Sequence, residues 1–336
     1  MTNFNEQQIQ NIISKITFLD GSSVQKRASD VIIKNHNLGF SLDITDLDPL
    51  HAEEIRNITI QQLQKIKSIS KISIVLTSNR IASTSTKTEK AKLHIEGVKQ
   101  VILVAAGKGG VGKSTISALL AHKLKADGKK VGIIDADIYG PSIPHIFNLQ
   151  GKPSLKNDRM IPLQNYGISV NSIGFLTAPS ASISWRGPMT SKALYQLLSL
   201  TTWEKLDYLI IDTPPGTGDI HLSLLQNYNI DKVLMVTTPQ KIAELDVSRA
   251  INLYKKFNVP IMGIIENMSY YSDPQTKQNI QLFTGNSGEL IAKEYQIPLL
   301  TKLPITPELS TACDNGKDLS DYVGLLENID LNNIGN

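Results

Sequence analysis

The stretch "AAGKGGVGKST", Ala105 to Thr115, sets two lysines among four glycines. Gly107, Gly112, Lys113 and Ser114 satisfy the spacing G-x-x-x-x-G-K-[ST] of a phosphate-binding loop. Gly109, Gly110 and Val111 lie inside it, where backbone N–H groups can close around phosphate oxygens, and a helix starting behind them adds a favourable dipole. Lys113 is placed for the β- and γ-phosphates of ATP, the Ser114 hydroxyl for Mg²⁺, and Thr115 for a further phosphate contact. Two later segments add acid. "GIIDADIYGPS" ends an apolar run at Asp135 and sets Asp137 just beyond it, and "YLIIDTPPGTGD" ends another at Asp212. Asp212 suits Mg²⁺ held through its water shell. Gly216 suits a backbone N–H offered to the γ-phosphate, and Asp137 suits orienting or deprotonating an attacking water. The chemistry these residues point to is Mg²⁺-dependent ATP hydrolysis. Lys108, the second lysine, has no part in that pattern.

These groups need strands that end together. From Val98 onward, apolar runs occur at "VILVAA", "KVGIID", "YLIID", "KVLMVTT", "IMGIIEN" and "LLTKLPI", separated mostly by segments of helical length. Such runs suit strands buried on both faces of a parallel sheet with helical crossovers. The expected fold class is α/β, a doubly wound, mostly parallel sheet with its ligand at the carboxyl ends of the strands. The helical patterns at Ile116 to Leu124 and Leu245 to Phe257 read as crossover packing. Before this domain, residues 1–77 read as a small α-β-β-α-β unit. Ile9, Ile12, Ile13 and Ile16 mark its first helix, and "DVIIKNHNLGFSLDI" two strands turning at Asn35-His36-Asn37. Ile55, Ile58, Leu63 and Ile66 mark a second helix after Pro49, and "KISIVLT" the last strand. The polar run Ser78 to Lys92 predicts a flexible linker, bounded at 78–97, ahead of an ATPase domain over 98–336.

Composition excludes several alternatives. A net charge of +3 over 336 residues, with the positive residues scattered, gives no footprint for nucleic acid. No apolar stretch approaches the roughly 18 residues of a membrane span, and the tail after Gly316 lacks a basic amphipathic pattern. The N-terminus has acid and amides where a signal peptide carries positive charge. Cys313 stands alone, so no intrachain disulfide forms, and a cytoplasmic protein is expected.

"GKGGVGKST", "DADIYGPS" and "DTPPGTGD" resemble the deviant-Walker ATPases, the class of nitrogenase iron protein and the septum-positioning and plasmid-partition ATPases. That resemblance implies a nucleotide-sandwich homodimer in which Lys108 crosses to the partner's phosphates. Within the class, "DADIYGPSIPHIF", "WRGPMTSKAL", "DYLIIDTPPGTGDIHLSL" and "GIIENMSYY" look like the Mrp-type (ApbC) iron–sulfur cluster carriers, over nearly the whole chain. The N-terminal unit looks like a metal–sulfur cluster assembly domain. The resemblance implies Asn267 as an adenine contact, and iron–sulfur assembly proteins or apoprotein clients as partners. Many members place Cys-x-x-Cys after the "NMSY" segment, and two chains then share a cluster. Here Ser272 and Asp273 stand there, and Cys313 lies in an unrelated C-terminal stretch. The six histidines have no metal-ligand spacing. The iron–sulfur cluster is therefore implied by the family and opposed by the supply of thiolates.

Three functions follow: an ATP-hydrolysing dimer serving iron–sulfur assembly or transfer; a nucleotide-gated adaptor that binds partners without metal; and a positioning ATPase on membrane or DNA. The absent basic tail helix and the near-neutral charge count against the third.

Overall fold

The structure, a computed structural model, describes residues 6–18, 20–34, 37–45, 47, 49–66, 69, 71–77, 92–176, 187–327 and 329. The chain divides into two compact units, residues 1–88 and 89–336. In the first, α1 (Glu6–Ile13) and the helical turn α2 (Val24–Arg27) precede β1 (Ile32–Lys34) and β2 (Asn37–Asp43). Helix α3 (Pro49–Leu63) and β3 (Lys71–Thr77) follow. The sheet order is β1-β2-β3, with β1 antiparallel and β3 parallel to β2. Period-2 alternation turns Leu38, Phe40 and Leu42 inward against Ile9 and Ile13. The helix expected after Pro49 departs from expectation at two positions, one of them Ile66, which lies beyond its end at Leu63. Ile58 is 37% exposed, and the buried stripe runs Ala52, Ile55, Thr59, Leu63. Thr59 tolerates burial because its hydroxyl donates to the Ile55 carbonyl at 2.7 Å. The turn residues Asn35 and His36, the linker residues 78–91, and Trp185 and Arg186 lie outside the described residues.

The rest of the expected linker is structured. The Leu93 N–H donates to the Asn227 carbonyl at 2.7 Å, and Ile95 is buried in the core of the second unit. That unit opens with β4 (Val98–Ala106), α4 (Lys113–Ala126), β5 (Val131–Asp135) and the short α5 (Ile143–Ile146). A two-stranded hairpin, β6 (Ser154–Lys156) and β7 (Arg159–Ile161), leads to β8 (Leu163–Asn165), β9 (Ile168–Ser172) and the turn α6 (Ile173–Leu176). Then come α7 (Gly187–Ser199), β10 (Leu206–Asp212), α8 (Asp219–Asn227), β11 (Lys232–Thr237) and α9 (Lys241–Lys256). The last elements are β12 (Ile261–Ser272), β13 (Asn279–Ile280), α10 (Ser287–Tyr295), β14 (Leu299–Pro304) and α11 (Pro307–Asp314), followed by a 3₁₀ segment, Ser320–Leu326.

All six apolar runs are strands of one 9-stranded sheet, ordered β13-β12-β11-β4-β10-β5-β9-β8, with β14 on β12. Its core is parallel, and antiparallel pairs occur at β8/β9 and β12/β13. Strand β9 carries no continuous apolar signal because Asn171 and Ser172 interrupt it. Both are buried and bonded: the Asn171 amide donates to Thr201 Oγ1 at 2.8 Å, and the Ser172 hydroxyl donates to Asp135 at 3.3 Å. Helix α4 covers one face together with α11 and the 3₁₀ segment, and α7, α8, α9 and α10 cover the other. Leu245, expected to pack, is 66% exposed, while Val247, Ala250, Ile251 and Tyr254 form the buried side of α9. Leu119→Ala, at a fully buried α4 position, should cost about 2–5 kcal/mol in urea unfolding. Leu245→Ala should change stability by less than about 0.5 kcal/mol. Equal costs would reject this division of buried and free faces.

Candidate active site

Strand β4 ends at Ala106, and the chain turns through residues 107–112 into α4. Two glycines make the turn possible. A Cβ on Gly107 would lie 2.4 Å from backbone atoms of Asp246 and Val247 in α9. Gly112 has φ +84°, and a Cβ there would meet the Asn267 amide nitrogen at 2.3 Å. Gly112 precedes α4 without a side-chain cap, so the helix enters the site by its bare amino end.

Parallel register decides which carboxylates meet there. Asp212 of β10 pairs with Asp135 of β5 on one side and with Val104 of β4 on the other. Asp212 is fully buried, and Lys113 is only 7% exposed. Lys113 Nζ lies 2.8 Å from Asp212 Oδ1 and 3.9 Å from Asp137 Oδ2. The Ser114 hydroxyl donates to Asp212 Oδ2 at 2.6 Å, and Ser117 Oγ lies 2.7 Å from Asp212 Oδ1. One ammonium and two hydroxyls thus compensate a charge that burial alone would make costly. A carboxylate beside a serine hydroxyl is also an oxygen donor set of the kind Mg²⁺ takes.

Asp135 never reaches the loop. Its Oδ1 accepts the Asp137 N–H at 3.1 Å and its Oδ2 the Ile143 N–H at 3.1 Å, so one carboxylate clasps both ends of segment 137–143. Burial first, and the Asp212 charge second, raise its pKa well above the ordinary carboxylate range. Asp137 accepts the Tyr139 N–H at 3.2 Å. Burial raises its pKa too, with Lys113 opposing the shift.

A cavity of about 340 Å³ brings together Lys108, Gly109, Gly110, Gly112, Lys113, Ser114, Thr115 and Asp137. Val111, within the loop, is buried, and its carbonyl accepts the Asn267 amide at 2.9 Å. Asn267 therefore holds the loop from β12. The Gly216 N–H, expected to meet a γ-phosphate, donates to the Ala106 carbonyl at 2.9 Å. Lys108 Nζ reaches Gln240 Oε1 of its own chain at 3.5 Å.

Sequence reasoning missed two residues here. Cys313 of α11 lies on the cavity wall rather than in an unrelated region, beside Thr115, and burial raises its thiol pKa. No local pattern marks it. His221 of α8 is buried under the loop after Asp212, and it stands in the recognisable "DTPPGTGDIH" run. Where thiols were sought, β12 and β13 close on themselves. Ser272 Oγ donates to Asn279 Oδ1 at 2.6 Å, and Asp273 Oδ1 accepts the N–H groups of Gln275 and Thr276 at 2.8 Å. Among the described residues no group of three or more His, Cys, Asp or Glu could hold a metal ion, and no helix is long and apolar enough to cross a membrane.

Comparison with known proteins agrees with this geometry. Residues 97–327 match the family model described as ParA, NUBPL iron-transfer P-loop NTPase. An iron-sulfur cluster carrier protein of Rickettsia conorii is 51% identical over 325 residues, covering 97% of this chain and 98% of its own length. One from Escherichia coli is 41% identical over 266 residues, covering 79% and 71%. A solved nucleotide-binding protein from Archaeoglobus fulgidus, in complex with ADP, superposes with a TM-score of 0.61 at 36% identity, over 68% of this chain and 90% of that one. The loop, the strand-end carboxylates and these matches lead to one conclusion: the chain belongs to the NUBPL iron-transfer family of P-loop NTPases.

Proposed function

We propose that this chain binds Mg²⁺ and ATP at residues 107–115 and hydrolyses ATP as a homodimer, in iron–sulfur cluster assembly or transfer to apoprotein clients in the cytoplasm. The observation that carries the reading is the single hydrogen-bonded cluster of Lys113, Ser114 and Asp212 at the end of β10, beside a glycine loop. Lys113 is the counter-ion of Asp212. To meet phosphate it must leave that carboxylate, and the buried charge then needs another cation. Bound Mg²⁺, held by the Ser114 hydroxyl and through water by Asp212, would supply that charge and neutralise the phosphate oxygens. Nucleotide and metal binding are therefore mutually dependent.

In hydrolysis the water oxygen bonds to the γ-phosphorus as the bond to the β–γ bridging oxygen breaks. Asp137 takes the water's proton, and its raised affinity for protons favours that transfer. Lys108 is half-buried against Gln240, whose Oε1 also accepts the Thr238 hydroxyl at 2.8 Å. In the dimer Lys108 leaves this contact for the partner's phosphates. The curated relatives' names supply the iron–sulfur role, and this chain's donor set does not fit a resident cluster. The cluster is thus cargo whose thiolates come from a partner protein. The self-closed β12–β13 turn also favours a second reading, a nucleotide-gated adaptor that never contacts metal.

Lys113→Ala should weaken Mg²⁺–ATP binding at least about 100-fold by equilibrium titration, a loss of about 2.7 kcal/mol. Asp137→Asn should leave affinity within about threefold while turnover falls tenfold or more, by about 1.4 kcal/mol in barrier. Parent affinity in the first, or parent turnover in the second, removes the assigned role.

Lys108→Ala should bind nucleotide, lose ATP-stabilised dimerisation, and lose up to about 10³-fold in rate. Mixing it with Asp137→Asn chains creates heterodimers with one intact site, and some turnover should return. Heterodimers that form without recovery would place the lysine in its own chain's service.

Anaerobic incubation with iron and sulfide should give no cluster absorption from this chain alone, and transferable cluster when a thiolate-bearing scaffold protein is added. Stoichiometric cluster on the chain alone would refute the cargo assignment. No effect of the chain on transfer would leave the adaptor reading.

A further inference from the structure

His221 is a buried ionisable group that the proposed hydrolysis does not use; it is 1% exposed. Its Nε2 lies 2.9 Å from the Pro214 carbonyl, in the loop after Asp212, and its Nδ1 lies 2.7 Å from Tyr254 Oη on α9. A carbonyl oxygen only accepts, so Nε2 carries the proton. Burial lowers the imidazole pKa to about 4, so at neutral pH the ring has one N–H and Nδ1 must accept. Tyr254 is fully enclosed, and burial raises its phenol pKa, so its hydroxyl remains a donor. One proton arrangement satisfies all three residues.

The chain of bonds joins two elements that meet the nucleotide site. At one end, the Pro214 carbonyl sits two residues before Gly216, whose N–H is held by the Ala106 carbonyl. For that N–H to reach a γ-phosphate, the loop must shift, and the shift pulls on the tether to His221. At the other end, α9 backs the phosphate loop, where Asp246 and Val247 lie against Gly107. Its first turn follows Gln240, the partner of Lys108, and exposes Ile242 and Leu245 at 68% and 66%.

We propose that His221 is a positioning residue that ties the 213–218 loop to α9 through Tyr254 and carries a nucleotide-driven shift of that loop into the first turns of α9. The proposal rests on the ATPase reading. It gives the buried histidine a role that packing alone does not require. A leucine there would fill the space but leave the Pro214 carbonyl and the Tyr254 hydroxyl without partners.

Hydrogen exchange on the full chain, with and without Mg²⁺ and a non-hydrolysable ATP analogue, tests it alongside affinity, kcat, KM and melting temperature. In the parent, the analogue should change exchange in peptides covering both 213–218 and 241–250. Tyr254→Phe, which deletes only the hydroxyl, should keep the loop response and affinity within about threefold. It should lose the α9 response, and kcat should fall about tenfold with KM little changed, the effect of one buried hydrogen bond. His221→Leu should lose both responses, and His221→Gln, which keeps a donor for Pro214, should regain the loop response alone. If His221→Leu does not fold, Tyr254→Phe decides. An α9 response and kcat at parent level in a folded Tyr254→Phe would overturn the proposal while leaving the ATPase reading intact. A parent that neither binds nor responds to the analogue would overturn the ATPase reading, and the transmission role with it.

Discussion

The fully buried carboxylate of Asp212 is the constraint on which the site depends. A charge with no solvent must be met by fixed partners, and here they are the Lys113 ammonium and the hydroxyls of Ser114 and Ser117. All three lie within the first turns of α4, so the carboxylate holds that helix and the loop before it against the end of β10. Removing the Lys113 charge leaves the Asp212 carboxylate buried with only hydroxyls to meet it. The groups proposed to grip nucleotide and metal are thus the same groups that neutralise each other here.

Around this centre two loops are pinned at their bases by hydrogen bonds to neighbouring elements. Asp135 clasps segment 137–143 through the N–H groups of Asp137 and Ile143. The loop after Asp212 is held on β4 by the Thr213 hydroxyl at Val104 and the Gly216 N–H at Ala106, and on α8 by His221 at Pro214. Both loops are short spans between rigid anchors. The 213–218 loop, proposed to respond to a γ-phosphate, offers the Gly216 N–H only by breaking its bond to Ala106.

The contrast with the β12–β13 turn is instructive. A metal-binding turn keeps donor atoms free, whereas here Ser272 and Asp273 direct theirs at the turn's own backbone and at Asn279. Cys313 lies instead against Thr115 beside the phosphate loop. Membership of an iron-transfer family and the absence of a thiolate set are compatible if the chain acts on a cluster that another protein holds, and that is the arrangement proposed above.

The sequence by itself determined the strands, the loop and the strand-end acids. A two-faced buried strand must be a continuous apolar run, and a phosphate loop needs small residues at fixed offsets before a helix. Those are local requirements, written within about a dozen residues. Strand β9 escaped that reading because its buried positions include Asn171 and Ser172, whose polarity is matched only by Thr201 and Asp135, residues distant in the chain. Ile58 and Leu245 were misjudged for the related reason that apolar character says nothing of which residues another element covers. Only the tertiary structure decided that Asp135 lies next to Asp212 in register, that the Gly216 N–H is held by Ala106, that Asn267 grips the loop through Val111, that Cys313 lines the cavity, and that His221 holds the Pro214 carbonyl. Each of these is a pairing between elements far apart in sequence, and its partner is set by strand order and helix packing, which no local spacing encodes.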